Sequence, residues 1–174
     1  MRKGSRFMPK AVNHVAVTVT DIQKAMKWYR DVMGMTVLAE PMEISGIPLK
    51  EEDKHISNLV RTVFGQNLGK FLICHLVSSN GVGIELFEFI EPKTERRKEN
   101  FDYWKTGFFH ISVTEPEIEK MAEKIDSSGG KRRTKVLELF PRSGKKICFC
   151  EDPFGNIIEI YSHSYKQFWS DVQP

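Results

Sequence analysis

Four residues of this 174-residue chain combine the types and the spacing needed to hold a metal: His14, Glu85, His110 and Glu159. Imidazole nitrogens and carboxylate oxygens are donors that Ni, Co, Zn, Mn and Fe ions accept. The histidines lie 96 positions apart and the glutamates 74. Each glutamate stands four residues after a turn glycine, Glu85 after Gly81 and Glu159 after Gly155. A shift of 96 also sets Val17 on Val113, Thr18 on Thr114, Ile22 on Ile118, Lys24 on Lys120 and Gly34 on Gly130. Identities in one ungapped register, the histidines included, mark an internal duplication.

Such residues need strands that turn all four side chains to one side of a sheet. Over residues 11–19 the pattern alternates, with Val15, Val17 and Val19 on one face and His14, Ala16 and Thr18 on the other. Asp21 is the expected N-cap of a helix whose stripe is Ile22, Ala25, Met26, Tyr29 and Met33, stopped by Gly34. Further strands are expected over 35–40, closed by Pro41, over 71–77 and over 83–90, with Asn80-Gly81 as the hairpin turn. Residues 42–70 lose the period. Ile56, Leu59, Val60 and Val63 are spaced for a short packed helix there, a lid or wall over a site.

The second half repeats the plan. A strand is expected over 107–114, a helix over 116–126 with Gly129-Gly130 as its stop, a strand near 136–140, and two more over 146–150 and 157–162 around the turn Asp152-Pro-Phe-Gly-Asn156. The organisation is thus a first βαβββ module over 10–90 with a lid-like insertion at about 42–70, a charged linker over 91–104, a second module over 105–164 and a tail over 165–174. The linker's Arg96-Arg97-Lys98 reads as solvated. The aromatic tail either caps an open sheet end or packs on a partner, and residues 1–9 read as a mobile basic tail.

The two-residue strand period then fixes the faces. With Val15, Val17, Ile111, Val113, Ile84, Leu86, Ile158 and Ile160 turned to the helices, His14, Glu85, His110 and Glu159 share the opposite face. Ala16, Thr18, Gly83, Ser112 and Thr114 on that face are small and would line a cavity. Two carboxylates in a sheet concavity are costly unless neutralised or bound to a cation. A divalent ion meets that need, and two imidazoles with two carboxylates leave one or two positions for water or substrate. His75 reads as a packed strand histidine, with a contact behind the metal ligands or to substrate as the alternative. His55 and His163 read as surface residues, and Lys131-Arg-Arg-Thr-Lys135 as a solvated loop rather than an anion contact.

Composition narrows the class. With 40% hydrophobic and 28% charged residues the chain is globular, and a net charge of +3 is too small to imply nucleic acid. It carries no apolar run of about 20 residues and no signal-peptide pattern, so a cytoplasmic protein without membrane attachment is expected. Cys74, Cys148 and Cys150 read as reduced thiols, an odd number unlike a disulfide framework.

His14-Val-Ala-Val-Thr-Val-Thr-Asp21, Trp28-Tyr-Arg-Asp-Val-Met-Gly34, Gly83-Ile-Glu-Leu-Phe-Glu88, His110-Ile-Ser-Val-Thr114 and Asp152-Pro-Phe-Gly-Asn-Ile-Ile-Glu159 resemble the vicinal oxygen chelate (glyoxalase/bleomycin-resistance/extradiol-dioxygenase) superfamily. The resemblance implies an α+β fold of paired βαβββ modules that form a half-barrel metal cleft, with substrates chelating the ion through neighbouring oxygens. It also implies a homodimer. Carried over by position, the metal ligands are His14, Glu85, His110 and Glu159, the set reached from periodicity. Bacterial glyoxalase I and methylmalonyl-CoA epimerase are the nearest chemistries. A metal-dependent isomerase or lyase is therefore expected, with Glu159 or Glu85 moving a proton next to the carbonyl of a small 2-oxo- or 2-hydroxyacyl thiol or thioester. A non-haem iron dioxygenase and a metal-free drug-binding protein are the alternatives. The insertion at 42–70 and the sequence Phe87-Glu88-Phe89 depart from a standard glyoxalase I and leave the substrate open.

Overall fold

Residues 9–99 and 101–170 are described by a computed structural model of the chain. The expected basic tail lies outside them apart from Pro9, as do the last four residues of the C-terminal tail. In the first half, β1 (His14–Thr18), α1 (Ile22–Asp31), β2 (Thr36–Ser45), α2 (Lys54–Phe64), β3 (Lys70–Val77) and β4 (Gly83–Glu91) follow in order. In the second come β5 (Ile111–Thr114), α3 (Ile118–Ser127), β6 (Lys131–Arg132), β7 (Leu137–Glu138), β8 (Lys146–Glu151), β9 (Ile157–Tyr161) and α4 (Tyr165–Trp169). The fold is α+β, with two mixed sheets ordered β1-β4-β3-β2 and β5-β9-β8-β6, β7 pairing β8 at one side.

The duplication is visible in the register. β1 runs parallel to β4 with Ala16 opposite Glu85, and β5 runs parallel to β9 with Ser112 opposite Glu159. Ala16 and Ser112 are themselves 96 positions apart. Asp21 caps α1 by accepting from Lys24 N, which satisfies one of the first-turn N–H groups left without helical partners. One apolar core is built from both halves: Val17, Ile22, Tyr29, Leu76, Ile84 and Leu86 join Ile118, Ile125, Cys148, Ile158 and Ile160.

The halves also meet through polar contacts. Trp28 Nε1 donates to Ser128 O at 3.0 Å, which buries a tryptophan that the helical period alone left off the packed stripe. Lys124 Nζ donates to Asp31 O and Val32 O at the end of α1, where carbonyls lack helical partners and a cation is favourable. The thiols of Cys148 and Cys150 are buried and unbridged, 3.9 Å apart.

Several elements differ from expectation, each for a local reason. β2 does not stop at Glu40 but runs through Pro41 to Ser45. It is the edge strand of its sheet and its ladder slips between Ala39 and Met42, the setting in which a strand tolerates proline. β5 begins at Ile111 and not near 107, because its one partner, β9, offers pairing residues only from Ile158 on. The strand expected near 136–140 shrinks to Leu137–Glu138, and Lys131–Arg132, read as loop, pairs with β8.

The insertion does contain a helix, α2, but its packed face is not the one expected. Ile56, Leu59 and Val63 are exposed, whereas Ser57 is buried and its Oγ donates to Ser45 O at 2.9 Å. Val60 packs on Leu68, Phe71 and Phe87, and Phe64 meets Phe71, Phe87 and Phe89 at ring-centroid distances of 5.5–5.9 Å. α4 covers one end of the second sheet: Phe168 is fully buried against Tyr161, 4.5 Å between centroids, and also meets Phe140.

Candidate metal centre

Alternation along β3 and β4 separates two environments. Leu72, Cys74 and Leu76 with Ile84 and Leu86 face the main core, while Phe71, Ile73, Phe87 and Phe89 belong to the cluster under α2. Glu85 and His75 have the parity of the second set, and the β3–β4 register places them directly opposite one another. α2 therefore forms a wall on the same face of the first sheet as Glu85.

In the first half, His14 Nε2 faces Glu85 Oε2 at 3.5 Å, and His75 Nδ1 faces Glu85 Oε1 at 3.5 Å. The carboxylate thus sits between two imidazoles. His14 Nδ1 lies 2.7 Å from Asn13 Oδ1, and a proton on Nδ1 toward that oxygen leaves the Nε2 lone pair on the side of Glu85, where it could ligate an ion. His75 is a contact to Glu85, not merely a packed strand residue. The register of β3 against β4 was the missing information.

In the second half, His110 Nε2 faces Glu159 Oε2 at 3.2 Å. This pair is the more enclosed: the Glu159 side chain is 9% exposed and that of Glu85 25%. Burial pushes the Glu159 carboxyl up from its ordinary range, with the Ser112 hydroxyl opposing, and burial pushes the His110 imidazole down. Each shift disfavours the charged form. The His110 ring is clamped by Phe109 and Phe149, with centroids at 4.4 and 5.7 Å, and its Nδ1 is buried without a hydrogen-bond partner among the described residues.

The four candidate ligands thus form two imidazole–carboxylate pairs at corresponding positions of the two halves. Among the described residues no group of three His, Cys, Asp or Glu side chains stands together so as to hold a metal ion. The donor chemistry nonetheless suits a divalent cation: in each pair an Nε2 atom and a carboxylate oxygen face one another, and the burial of His110 favours the neutral imidazole, the form that ligates a metal. A cavity of about 270 Å³ opens beside this pair, between β1 and the start of β5, lined by Thr18, Thr20, Arg96, Phe109, His110 and Asn156 among others. Of the four candidate ligands only His110 borders it.

Other residues at the site carried no clear sequence signal. Phe101, Phe109 and Phe149 surround His110. Phe149 lies opposite Glu159 across β8–β9, and the two-residue period would have placed it and Glu151 away from the core-facing Cys148 and Cys150. The turn Asp152-Pro-Phe-Gly-Asn156 ties the second sheet to the first half: buried Asp152 accepts from Tyr29 OH at 2.9 Å, from Phe154 N and from Asn156 N and Nδ2. Burial raises the pKa of the Asp152 carboxyl, and these donors oppose the shift.

Comparison with known proteins agrees with this architecture. The family model described as Glyoxalase/Bleomycin resistance protein/Dioxygenase superfamily matches residues 11–160. A glyoxalase family protein from Bacillus cereus superposes with a TM-score of 0.70 at 18% identity, over 90% of this chain and 96% of that one. Glyoxalase I from Zea mays gives 0.57 at 20% identity, over 87% of this chain and 44% of the longer maize chain. The Bacillus subtilis (strain 168) protein named "Uncharacterized protein YwkD" is 20% identical over 152 residues, 87% of this chain and 96% of the relative. With its family match spanning both halves, the chain belongs to the Glyoxalase/Bleomycin resistance protein/Dioxygenase superfamily.

Proposed function

We propose that this chain is a divalent-metal-dependent isomerase, lyase or epimerase that moves a proton next to the carbonyl of a small 2-oxo- or 2-hydroxyacyl thiol or thioester. The observation that supports it is the twofold repetition of an imidazole facing a carboxylate: His14 with Glu85 at 3.5 Å and His110 with Glu159 at 3.2 Å. These four residues would hold the ion, each pair supplying two donors, and two copies of the chain in a homodimer would bring pairs together across their interface. When bound, the ion supplies electrostatic stabilisation to negative charge developing on substrate oxygens.

The two glutamates are not equivalent. Glu85 is fixed between His14 and His75, an arrangement suited to a ligand that keeps its place. Glu159 is the more buried of the two and faces a single imidazole, that of His110, so fewer partners hold its carboxylate in place. Glu159 is therefore assigned as the proton carrier and Glu85 as the positioning carboxylate. The phenyl rings of Phe109 and Phe149 beside His110 limit the water that reaches this pair.

The experiment follows solvent deuterium entering a candidate such as lactoylglutathione in the metal-loaded protein, by mass spectrometry. Glu159→Gln should lower exchange by about 100-fold or more while the chain still binds the metal measurably. Exchange at the wild-type rate in Glu159→Gln, with metal bound, contradicts this role.

A further inference from the structure

Pairing with β8 sets the direction of an arginine. The backbone N–H groups of Arg133 and Thr134 both donate to Phe149 O, at 2.8 and 3.2 Å, so two residues oppose one just after β6 ends. Arg132 lies opposite Cys150, so Arg133, next along the chain, takes the face of Phe149 and Glu151, and this bulge ends the regular pairing just beyond it. The side chain on that face is a guanidinium, held in two ways. Its Nη1 donates to the buried carboxylate of Glu151, and its central carbon lies 4.7 Å from the centroid of the Phe101 ring.

From that ring, aromatic contacts lead to the His110–Glu159 pair. Phe101 is 5.9 Å from Phe149 and 6.0 Å from Phe109, and both of those flank His110. Glu151 shares the strand parity of Phe149, whose cross-strand partner is Glu159, so the arginine's anchor belongs to the face that carries the candidate ligand. The guanidinium is not spent on Glu151. Its side chain keeps a quarter of its exposure, and neither Nε nor Nη2 has a hydrogen-bond partner or is sealed from solvent among the described residues. A planar fork held at one nitrogen and on one ring face is pre-organised, with its remaining N–H groups free for an anion.

We infer that Arg133 is a specificity-determining residue that anchors a carboxylate on the ligand, whose apolar, ring-sized body lies on Phe101, Phe109 and Phe149 and whose other end reaches His110 and Glu159. Reach to the reacting end rests on the function proposed above; recognition of the acid does not. The Arg133–Glu151 pair is thereby distinguished from that of Arg132 with Glu119, which lies off the aromatic face, Glu119 being on α3.

The test uses the metal-free wild-type chain and two probes of one shape, 3-phenylpropionate and its uncharged amide, titrated calorimetrically. The acid should bind about tenfold tighter or more, as expected for charge-assisted hydrogen bonds to arginine. Arg133→Gln should abolish that preference with the amide's affinity unchanged, and Arg133→Lys should restore part of it. Should Arg133→Gln lose its native circular dichroism, the wild-type side chain is read instead by its Nε–Hε resonance, which should shift with the acid and not with the amide. Equal affinity for acid and amide, an acid preference that survives in folded Arg133→Gln, or an unmoved Nε–Hε resonance overturns the proposal. Neither titration involves metal or turnover, so this inference can fail while the metal reading stands, and the reverse.

Discussion

His110 and Glu159 show how burial prepares a pair of groups before any ligand arrives. Burial lowers the pKa of the imidazole and raises that of the carboxyl. For Glu159 the folded chain binds its proton more tightly than the unfolded chain, so this group's contribution to stability falls as pH rises from the ordinary glutamate value of 4.5 toward the raised one. For His110 the folded chain binds the proton less tightly. Its contribution is complete above the ordinary imidazole value of 6.5 and is lost as pH falls below it. In metal-free Glu159→Gln the first loss disappears. Thermal denaturation across a pH series should then show a smaller decline in stability above pH 4.5 than in the wild type, and an unchanged decline would mean that the carboxyl is not held in the raised state. Much of this pair was readable in the sequence, because alternation in β5 and β9 constrains which way Glu159 points. The burial was not, since it comes from Phe109 and Phe149, residues brought against His110 by loop and neighbouring strand.

At the scale of elements, α2 illustrates what a helical period can and cannot say. The spacing of Ile56, Leu59, Val60 and Val63 locates a helix, yet only Val60 of these packs inward, while Ile56, Leu59 and Val63 remain exposed. Orientation is set by particular contacts: the Ser57 hydroxyl on Ser45 O and the Phe64 ring among Phe71, Phe87 and Phe89. Phe71→Ala should therefore cost about 3 kcal/mol of stability, and Leu59→Ala no more than about 0.5 kcal/mol, both measured by urea denaturation. Equal costs would place α2 the other way round. The strands tell the same story. β1, β3, β4, β8 and β9 are long enough for alternation to expose them, whereas β6 and β7 have two residues each and owe their existence to the edge of β8 rather than to their own pattern. The same dependence left the direction of Arg133 unread, because it follows from Arg132 lying opposite Cys150, which only the pairing with β8 reveals.

At the scale of the whole molecule, duplication explains both the fold and the candidate site. Two sheets with equivalent parallel pairs, β1 with β4 and β5 with β9, each place one glutamate opposite a small residue, Ala16 or Ser112, close to a histidine that opens the neighbouring strand in the first half and directly precedes it in the second. A shared core and the Tyr29–Asp152 hydrogen bond join the halves, so the two imidazole–carboxylate pairs belong to one folding unit. Family membership and architecture stand on the match over residues 11–160, and the metal is the step by which the proposed chemistry stands or falls. The most direct measurement is elemental analysis of the chain purified without added metal, alongside a variant in which His110 and Glu159 are replaced by Ala and Gln and a control, Leu59→Ala. The account predicts a stoichiometric divalent transition metal in the wild type and in the control, lost or strongly depleted in the double variant with its circular dichroism intact. A wild-type chain that takes up no divalent metal even when it is supplied, or a double variant that keeps its full complement, would contradict it.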